Sequence, residues 1–498
     1  MPKPAVRPET SGQWLAIAAI LAMTLWRVLW LAASRAELGV DEAQYWLWSR
    51  SLDWGYFSKP PVVAWIIRAT TDLLGSDTPF AVRLSAPLLQ GAAALLVMRF
   101  AKGLAGDRAG SIAGLIYLVM PAGVVGSMTI STDTPMMFCL ALSLVLWVGL
   151  AQQPSPGRAL GLGLAIGLAV LSKYSMLFVL PGMVLAGLFL PRWRLCRRDT
   201  VLAVVAGLVT VAPNVAWNLR HGMATLRHTA DSAQWSGLQL HPDRATSFLL
   251  SQFAVFGPVF FAIMVICSAQ ALLGRGPPDR RGPVLLTLPV LAVVTGQALL
   301  SHAYANWAVA AAVGGSLLAA LVLRAAPRLL ALVLVLHAAL ALVLPMLPAL
   351  AIDLRLPNGQ ALFKRYTGRE DSARFALDLA QSHGLTAIVA GERAMLADLF
   401  YYARPGDPAI YAAPQSGPPA NHYAMFHALP PGLPGRVLLV IDDSAADRLL
   451  QAIPETQELG RYQPTSGWAL RRTFVALAVP AGRLSAGTLE KAATADGG

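Results

Sequence analysis

The sequence predicts a polytopic α-helical membrane protein, with about 11 transmembrane helices, interfacial helices in its first outer loop and a small C-terminal α/β domain. Three observations predict it. Of 498 residues, 56% are hydrophobic and only 13% charged, about half the charge of an ordinary soluble domain. The mean hydropathy is +0.55. The missing charge is missing mainly from residues 1–350, whereas residues 351–498 mix charges with Pro and Gly punctuation. A soluble globular protein is excluded.

Apolar runs near the roughly 20 residues that cross a bilayer fall at 14–34, 82–101, 109–126, 134–151, 159–173, 175–191, 200–218, 247–273, 283–300, 305–323 and 327–350. The first follows Lys3 and Arg7 without a small-residue cleavage site and reads as a retained helix. A cytoplasmic N-terminus puts Arg99, Lys102, Arg108, Arg158, Arg192, Arg194, Arg197, Arg198, Arg275, Arg280, Arg281, Arg324 and Arg328 on the inner side, as the positive-inside rule requires. The excess of 39 basic over 27 acidic residues, a net charge of +12, therefore orients helices and calls for no nucleic acid. An odd number of spans sends the chain's end outside, so residues 1–350 form a membrane domain and 351–498 an outer domain. In the outer domain Ser372 to Gln381 and Glu392 to Tyr402 read as helices, Thr386 to Ala390 and Arg436 to Ile441 as strands, and Asp442 and Asp443 as a turn. It holds no Gly-rich phosphate loop or nucleophile elbow, which leaves it a packing or acceptor-docking role. The last dozen residues read as disordered. Cys139, Cys196 and Cys267 offer neither a disulfide framework nor a CxxC metal site.

Two outer loops carry the candidate chemistry. Loop 35–81 holds Tyr45, Trp46, Trp48, Trp54, Tyr56, Phe57 and Trp65, aromatics that favour the membrane interface. Within it Asp41 and Glu42 open a helix running to Arg50. Adjacent acids there can be caps and dipole partners, or one of them can be a general base taking a proton from an incoming hydroxyl or amine. Lys59 precedes Pro60 and Pro61, which push its backbone into an extended form and start a helix to about Leu74. A lysine beside a helix N-terminus suits a phosphate; its plainer reading is a side chain snorkelling to water. Asp133, in Ser131-Thr132-Asp133-Thr134-Pro135, starts the fourth span on the same face, either as a cap or as a second acid in one cavity.

Loop 219–246 carries Arg220, His221, Arg227, His228, Trp235, His241 and Arg244. Arg220 and Arg227 stand seven residues apart, about two helical turns, and read as cations for a phosphate or a sugar carboxylate. His221 and His228 share that spacing but lack a third metal ligand. His302, Tyr304, Asn306 and Trp307 gather at the outer start of the tenth span, as interface anchors or as a sugar or acceptor pocket together with Tyr45, Tyr56 and His221.

Taken together, Asp41-Glu42-Ala43-Gln44-Tyr45-Trp46, the run Asp53-Trp54-Gly55-Tyr56-Phe57-Ser58-Lys59-Pro60-Pro61 and Ser131-Thr132-Asp133-Thr134-Pro135 resemble the bacterial polyprenyl-phosphate-dependent glycosyltransferases of the GT-C fold. These include the aminoarabinose transferase acting on lipid A, relatives adding hexosamine or galacturonic acid to lipopolysaccharide, and protein O-mannosyltransferases. The resemblance covers roughly residues 14–350. It implies that Asp41 is the catalytic acid-base residue with Glu42 in support, that Asp133 is the second acid, and that Lys59 binds the donor phosphate, with Arg220 a looser match. Relatives often carry an acid just before Lys-Pro-Pro where this chain has Ser58, so a divalent metal ion is left open as a cofactor.

The expected protein is therefore a multi-pass glycosyltransferase of the bacterial inner membrane. It moves a sugar from a polyprenyl-phosphate donor, undecaprenyl phosphate, to an envelope acceptor such as lipid A or lipopolysaccharide core on the periplasmic face. The rivals are a protein O-mannosyltransferase and a lipid or solute transporter. Against transport, ionisable residues are sparse at mid-membrane depth.

Overall fold

A computed structural model describes residues 10–233, 239–464, 467–470 and 472–493. Lys3, Arg7 and Trp235 lie outside the described residues. Two compact units emerge: residues 1–34, 53–55 and 59–347 form the first, and residues 35–52, 56–58 and 348–498 the second.

The first unit is a bundle of apolar helices. Among the described residues, six helices are long and apolar enough to cross a membrane: Gly12–Ala32, Pro79–Ala105, Asp133–Gln152, Arg197–Arg220, Pro278–Leu300 and Pro327–Leu350. Shorter apolar helices cover Pro156–Ser172, Tyr174–Phe189, Pro258–Leu272 and Ala311–Leu323. Several runs expected to be single spans are broken. Residues 109–126 divide into Asp107–Val119 and Pro121–Val125, because Pro121 offers no N–H and forces Met120 into an extended backbone. The break leaves end carbonyls without helical partners, and the buried Arg27 donates from Nη2 to the Leu118 carbonyl at 2.6 Å. A cation at that helix C-terminus also meets the negative end of the dipole. Residues 247–273 divide into Pro242–Phe256 and Pro258–Leu272 at Gly257, whose φ of +93° is one a side chain rarely adopts.

Close packing in the bundle rests on small residues. Gly163 and Gly167 lie one turn apart on Pro156–Ser172, and a Cβ at either would run into the Arg197–Arg220 helix, at Ala203 and Ala206 or at Thr210. Lipid supplies no hydrophobic drive between helices, so such small-residue faces bring backbones into contact.

The second unit is built on a mixed five-stranded sheet: β1 (Ala387–Ala390), β2 (Ala409–Ala412), β3 (Arg436–Asp442), β4 (Gln457–Tyr462) and β5 (Phe474–Pro480), in the order β2-β1-β3-β5-β4. β2, β1 and β3 run parallel, while β5 is antiparallel to both β3 and β4. Val389, Leu439, Val475, Leu477 and Val479 are buried in one core with Leu449. The helices expected over 372–381 and 392–402 are present as Arg369–Ser382 and Arg393–Tyr402. Asp442 and Asp443 do not form a plain turn: Asp442 ends β3 and Asp443 opens the Asp443–Ala452 helix, whose apolar face reaches the core through Ala446 and Leu449. The expected disorder of the last dozen residues is also corrected in part, since Ala486–Ala493 is helical, with Ala492 buried in the same core. Residues 494–498 lie outside the described residues.

Residues 35–52 are tied into this unit by specific bonds. The Glu37 carboxylate accepts the N–H groups of Arg369 and Glu370, both at 2.9 Å, so an anion sits on the first N–H groups of the Arg369–Ser382 helix, where the dipole favours it. The Glu37 N–H in turn donates to the Tyr366 carbonyl at 2.9 Å.

Candidate active site

In the first unit the candidate acid Asp133 is positioned by helix geometry. It opens the Asp133–Gln152 helix of 20 residues, about 30 Å long at 1.5 Å per residue. The chain turns back through Pro156–Ser172, 17 residues or about 25 Å, so the residue after that helix returns to the level of Asp133. That residue is Lys173. Its Nζ lies 2.7 Å from Asp133 Oδ1, each side chain being only 16% exposed, while Asn306 Nδ2 donates to Asp133 Oδ2 at 3.0 Å. Both carboxylate oxygens are thus engaged, one by a cation and one by an amide.

Beside this cluster Tyr174 donates to Asn214 Oδ1 at 2.7 Å, and Asn214 Nδ2 donates to the Trp54 carbonyl at 2.6 Å. Trp217 Nε1 donates to Asp53 Oδ2 at 2.6 Å. A Cβ on Gly55 would collide with the Trp217 ring. Residues 53–55 are therefore held flat against the Arg197–Arg220 helix, four residues before the half-buried Lys59. The helix after Lys59, Val62–Leu74, packs against Pro156–Ser172, the helix that ends at Lys173. His302 and Tyr304 meet edge to face at 4.8 Å, and Tyr304 lies 5.6 Å from Trp307, so an aromatic group flanks Asn306.

The second loop departs from expectation. The Arg197–Arg220 helix ends at Arg220, and Gly222 and Met223 both take left-handed backbone, with φ of +62° and +60°, before a new helix, Ala224–Ala233. Arg220 with Arg227, and His221 with His228, are therefore not two turns apart on one continuous helix. Gly222 breaks that register. Arg220 and Arg227 are exposed. His221 stacks on Trp217 at 4.1 Å, and its Nδ1 lies 2.8 Å from the Trp217 carbonyl.

The second unit holds the other candidate acid. At the start of the Val40–Arg50 helix Glu42 Oε2 accepts the Gly39 N–H at 3.0 Å, the half of a capping box that a glycine N-cap allows. Glu42 is buried by this, whereas the side chain of Asp41 is 65% exposed. The capping geometry separates the two neighbours that the sequence leaves equivalent: one points into the fold and the other out. Asp41 Oδ1 is bonded and ion-paired to Arg393 Nη2, and Arg393 Nε donates to Gln44 Oε1 at 2.8 Å. Burial works against the charge on Arg393, but the Asp41 carboxylate, helped by Tyr423 and Tyr45, outweighs it and holds the guanidinium proton more tightly than usual.

Tyr45 and Tyr56 both pack on Trp48, at 5.1 and 4.6 Å, and the Tyr56 hydroxyl donates to the Trp48 carbonyl at 3.1 Å. Below them, Arg369 and Asp398 form a buried ion pair at 2.8 Å. Burial pushes the Asp398 carboxyl up to about 7 against the pull of Arg369.

Two site residues were missed by sequence reasoning. Lys173 did leave a signal, a lone cation at the end of the apolar run 159–173. Arg393 left none. Among the described residues no group of three His, Cys, Asp or Glu side chains is placed to hold a metal ion.

Comparison with known proteins bears on the family and the fold. A family model described as dolichyl-phosphate-mannose-protein mannosyltransferase matches residues 58–217. The chain is 41% identical over 450 residues to the lipid A galacturonosyltransferase RgtD of Rhizobium johnstonii, covering 90% of this chain and 94% of that one. Its fold is similar to that of ArnT from Cupriavidus metallidurans bound to undecaprenyl phosphate, with a TM-score of 0.64 at 19% identity, over 94% of this chain and 98% of that one. The apo structure of the same ArnT gives 0.64 at 17% identity. A relative 41% identical over 90% of this chain, together with the helical bundle, places this chain in the GT-C family of membrane glycosyltransferases, to which it belongs.

Proposed function

We propose that the protein transfers a sugar, a galacturonosyl group, from a polyprenyl-phosphate donor to lipid A or a similar envelope glycolipid at the periplasmic face of the bacterial inner membrane. The observation that carries this reading is the near-full-length identity to a lipid A galacturonosyltransferase. A lipid-linked donor also suits a chain with six helices of membrane-crossing length among its described residues.

In the proposed reaction an acceptor hydroxyl attacks the anomeric carbon, the bond from that carbon to the phosphate oxygen breaks, and the polyprenyl phosphate departs with the electron pair. Asp41 takes the hydroxyl proton. Its carboxylate is exposed, whereas that of Glu42 is buried at the helix start on the Gly39 N–H. Lys59 carries the charge that grows on the departing phosphate, with Arg220 and Arg227 as further cations; fixed positive groups stabilise such charge more than mobile water does. Asp133, held by Lys173 and Asn306, is a rigid acceptor for sugar hydroxyls, and the Tyr304–Trp307 pair offers a ring face for a sugar. A single displacement inverts the anomeric centre.

The test is transfer of labelled galacturonosyl from its undecaprenyl-phosphate donor to lipid A by the purified protein in detergent, where no sealed membrane exists. Transfer is expected, and a transporter would show none. The match of residues 58–217 to the protein-mannosyltransferase model favours a second reading with a protein acceptor. Mass spectrometry of lipid A and of secreted proteins from a deletion strain separates the two, and loss of the sugar from lipid A alone is expected.

A further inference from the structure

The second unit contains both the candidate base and the residue bonded to it, and the two come from opposite ends of the chain. Asp41 stands on the Val40–Arg50 helix and Arg393 at the start of Arg393–Tyr402, a separation of 352 positions. The two helices pack together. Arg393 divides its guanidinium between them: Nη2 holds Asp41 and Nε donates to Gln44 Oε1 at 2.8 Å, one turn further along the same helix. A planar fork gripping two side chains on one helix face fixes the position of that face as well as its charge. The surroundings reinforce the grip, with Trp46 against Tyr401 at 5.0 Å and Glu37 bonded to the start of Arg369–Ser382. Such an ion pair, with side chains 39% and 65% exposed, contributes little to stability. Its consequence is for Asp41 itself.

We propose that Arg393 is a positioning residue for the transfer reaction, supplied by the C-terminal domain, which orients the Asp41 carboxylate and keeps it ionised until an acceptor hydroxyl arrives. This rests on Asp41 being the catalytic base. It gives the C-terminal domain a part in the chemistry beyond packing or acceptor docking. Titratable groups that act on the pair include Tyr45 on the same helix as Asp41, and His422 and Tyr423 on His422–Phe426. Burial raises Tyr423 and lowers His422 to about 3, so both stay neutral between pH 5 and 8. Burial raises the Asp398 carboxyl, on the helix of Arg393, to about 7 against the pull of Arg369.

The experiment measures kcat/KM against pH for wild type, R393K, R393Q and D41N in detergent, with an undecaprenyl-phosphate galacturonosyl donor and a lipid A acceptor, each variant checked by thermal melting. An opposite charge at contact lowers a carboxyl by about 1 unit or more. R393Q keeps donors for Asp41 and a polar partner for Gln44 but loses the cation. Its acid limb is expected to move up by about 1 unit, so that activity at the foot of the limb falls roughly tenfold. R393K is expected to keep the wild-type limb with a lower plateau, because the charge remains and the fork does not. An unmoved acid limb in melted-as-wild-type R393Q overturns the proposal. Normal transfer by D41N overturns instead the assignment of Asp41, whatever Arg393 does. Should R393Q fail to melt as wild type, R393K decides: a limb displaced as far as one unit, despite the retained charge, overturns the proposal, and an unmoved limb with a lowered plateau supports it.

Discussion

The two candidate acids are opposites in setting. Asp133 sits in the helical bundle with its side chain 16% exposed, opposite a lysine equally enclosed; Asp41 sits on the second unit with its side chain 65% exposed, opposite an arginine. Removing one partner of an enclosed pair leaves an uncompensated charge and is costly, whereas an exposed pair adds little to stability. The Asp133–Lys173 pair is therefore a contact whose disruption from one side the bundle feels. The Asp41–Arg393 pair is suited to changing its state during a reaction. Enclosure favours fixing a ligand and exposure favours moving a proton.

The largest effect expected from this contrast is on Asp41→Asn, which should lower transfer at least about 10³-fold, within the range of a lost general base, with donor binding kept. Near-normal turnover would remove the contrast altogether. Asp133→Asn and Lys173→Met should each cut transfer while weakening donor binding, and the double variant should be little worse than either single one, with a coupling of about 1–2 kcal/mol. Simple additivity in KM and in melting would mean the pair is not a unit.

Lys59→Ala should weaken donor binding about 10- to 100-fold, the worth of a charge-assisted hydrogen bond, and slow turnover. Equilibrium binding of undecaprenyl phosphate measures it, and unchanged affinity would dismiss Lys59 as a phosphate ligand.

A smaller effect sharpens the description of the second unit. His422 is held neutral, lowered to about 3 by burial, with His427 and Arg393 adding to it. An unfolded chain takes up the proton near 6.5 and the native one does not, so this contribution is complete above about pH 6.5 and is lost as pH falls toward 3. At pH 5 the loss is about 2 kcal/mol. His422→Phe, which keeps the ring among Trp48, Tyr423 and Phe426, should flatten that acid-side loss in hydrogen exchange over His422–Phe426. An unchanged slope would show that another group controls it.

Much of the bundle was legible because a bilayer imposes length and apolarity on each span. The breaks were harder. Pro121 and Gly257-Pro258 sit inside unbroken apolar runs, and hydropathy does not register a missing N–H or a left-handed glycine. In the second unit β1 and β3 stand out as buried apolar runs, but β4, Gln457–Tyr462, is half-exposed and polar, and β2 is only 4 residues long. Both are strands because a neighbour supplies the ladder. At the candidate site, Asp41, Lys59 and Asp133 were readable from local motifs, each next to a helix start. The two-turn spacing of Arg220 and Arg227 was not, since it assumed a helix that Gly222 ends.

By itself the sequence determined the membrane class, the small C-terminal sheet domain and which loops carry acids and cations, because hydropathy and helix-start chemistry act over a few adjacent residues. Only the tertiary structure decided which cation answers which acid. Lys173 reaches Asp133 because two antiparallel helices of similar length bring the end of one level with the start of the other, and Arg393 reaches Asp41 because two helices 352 positions apart pack together. It also decided which of two adjacent acids turns outward, through a capping bond that exists only once the chain at Gly39 has folded.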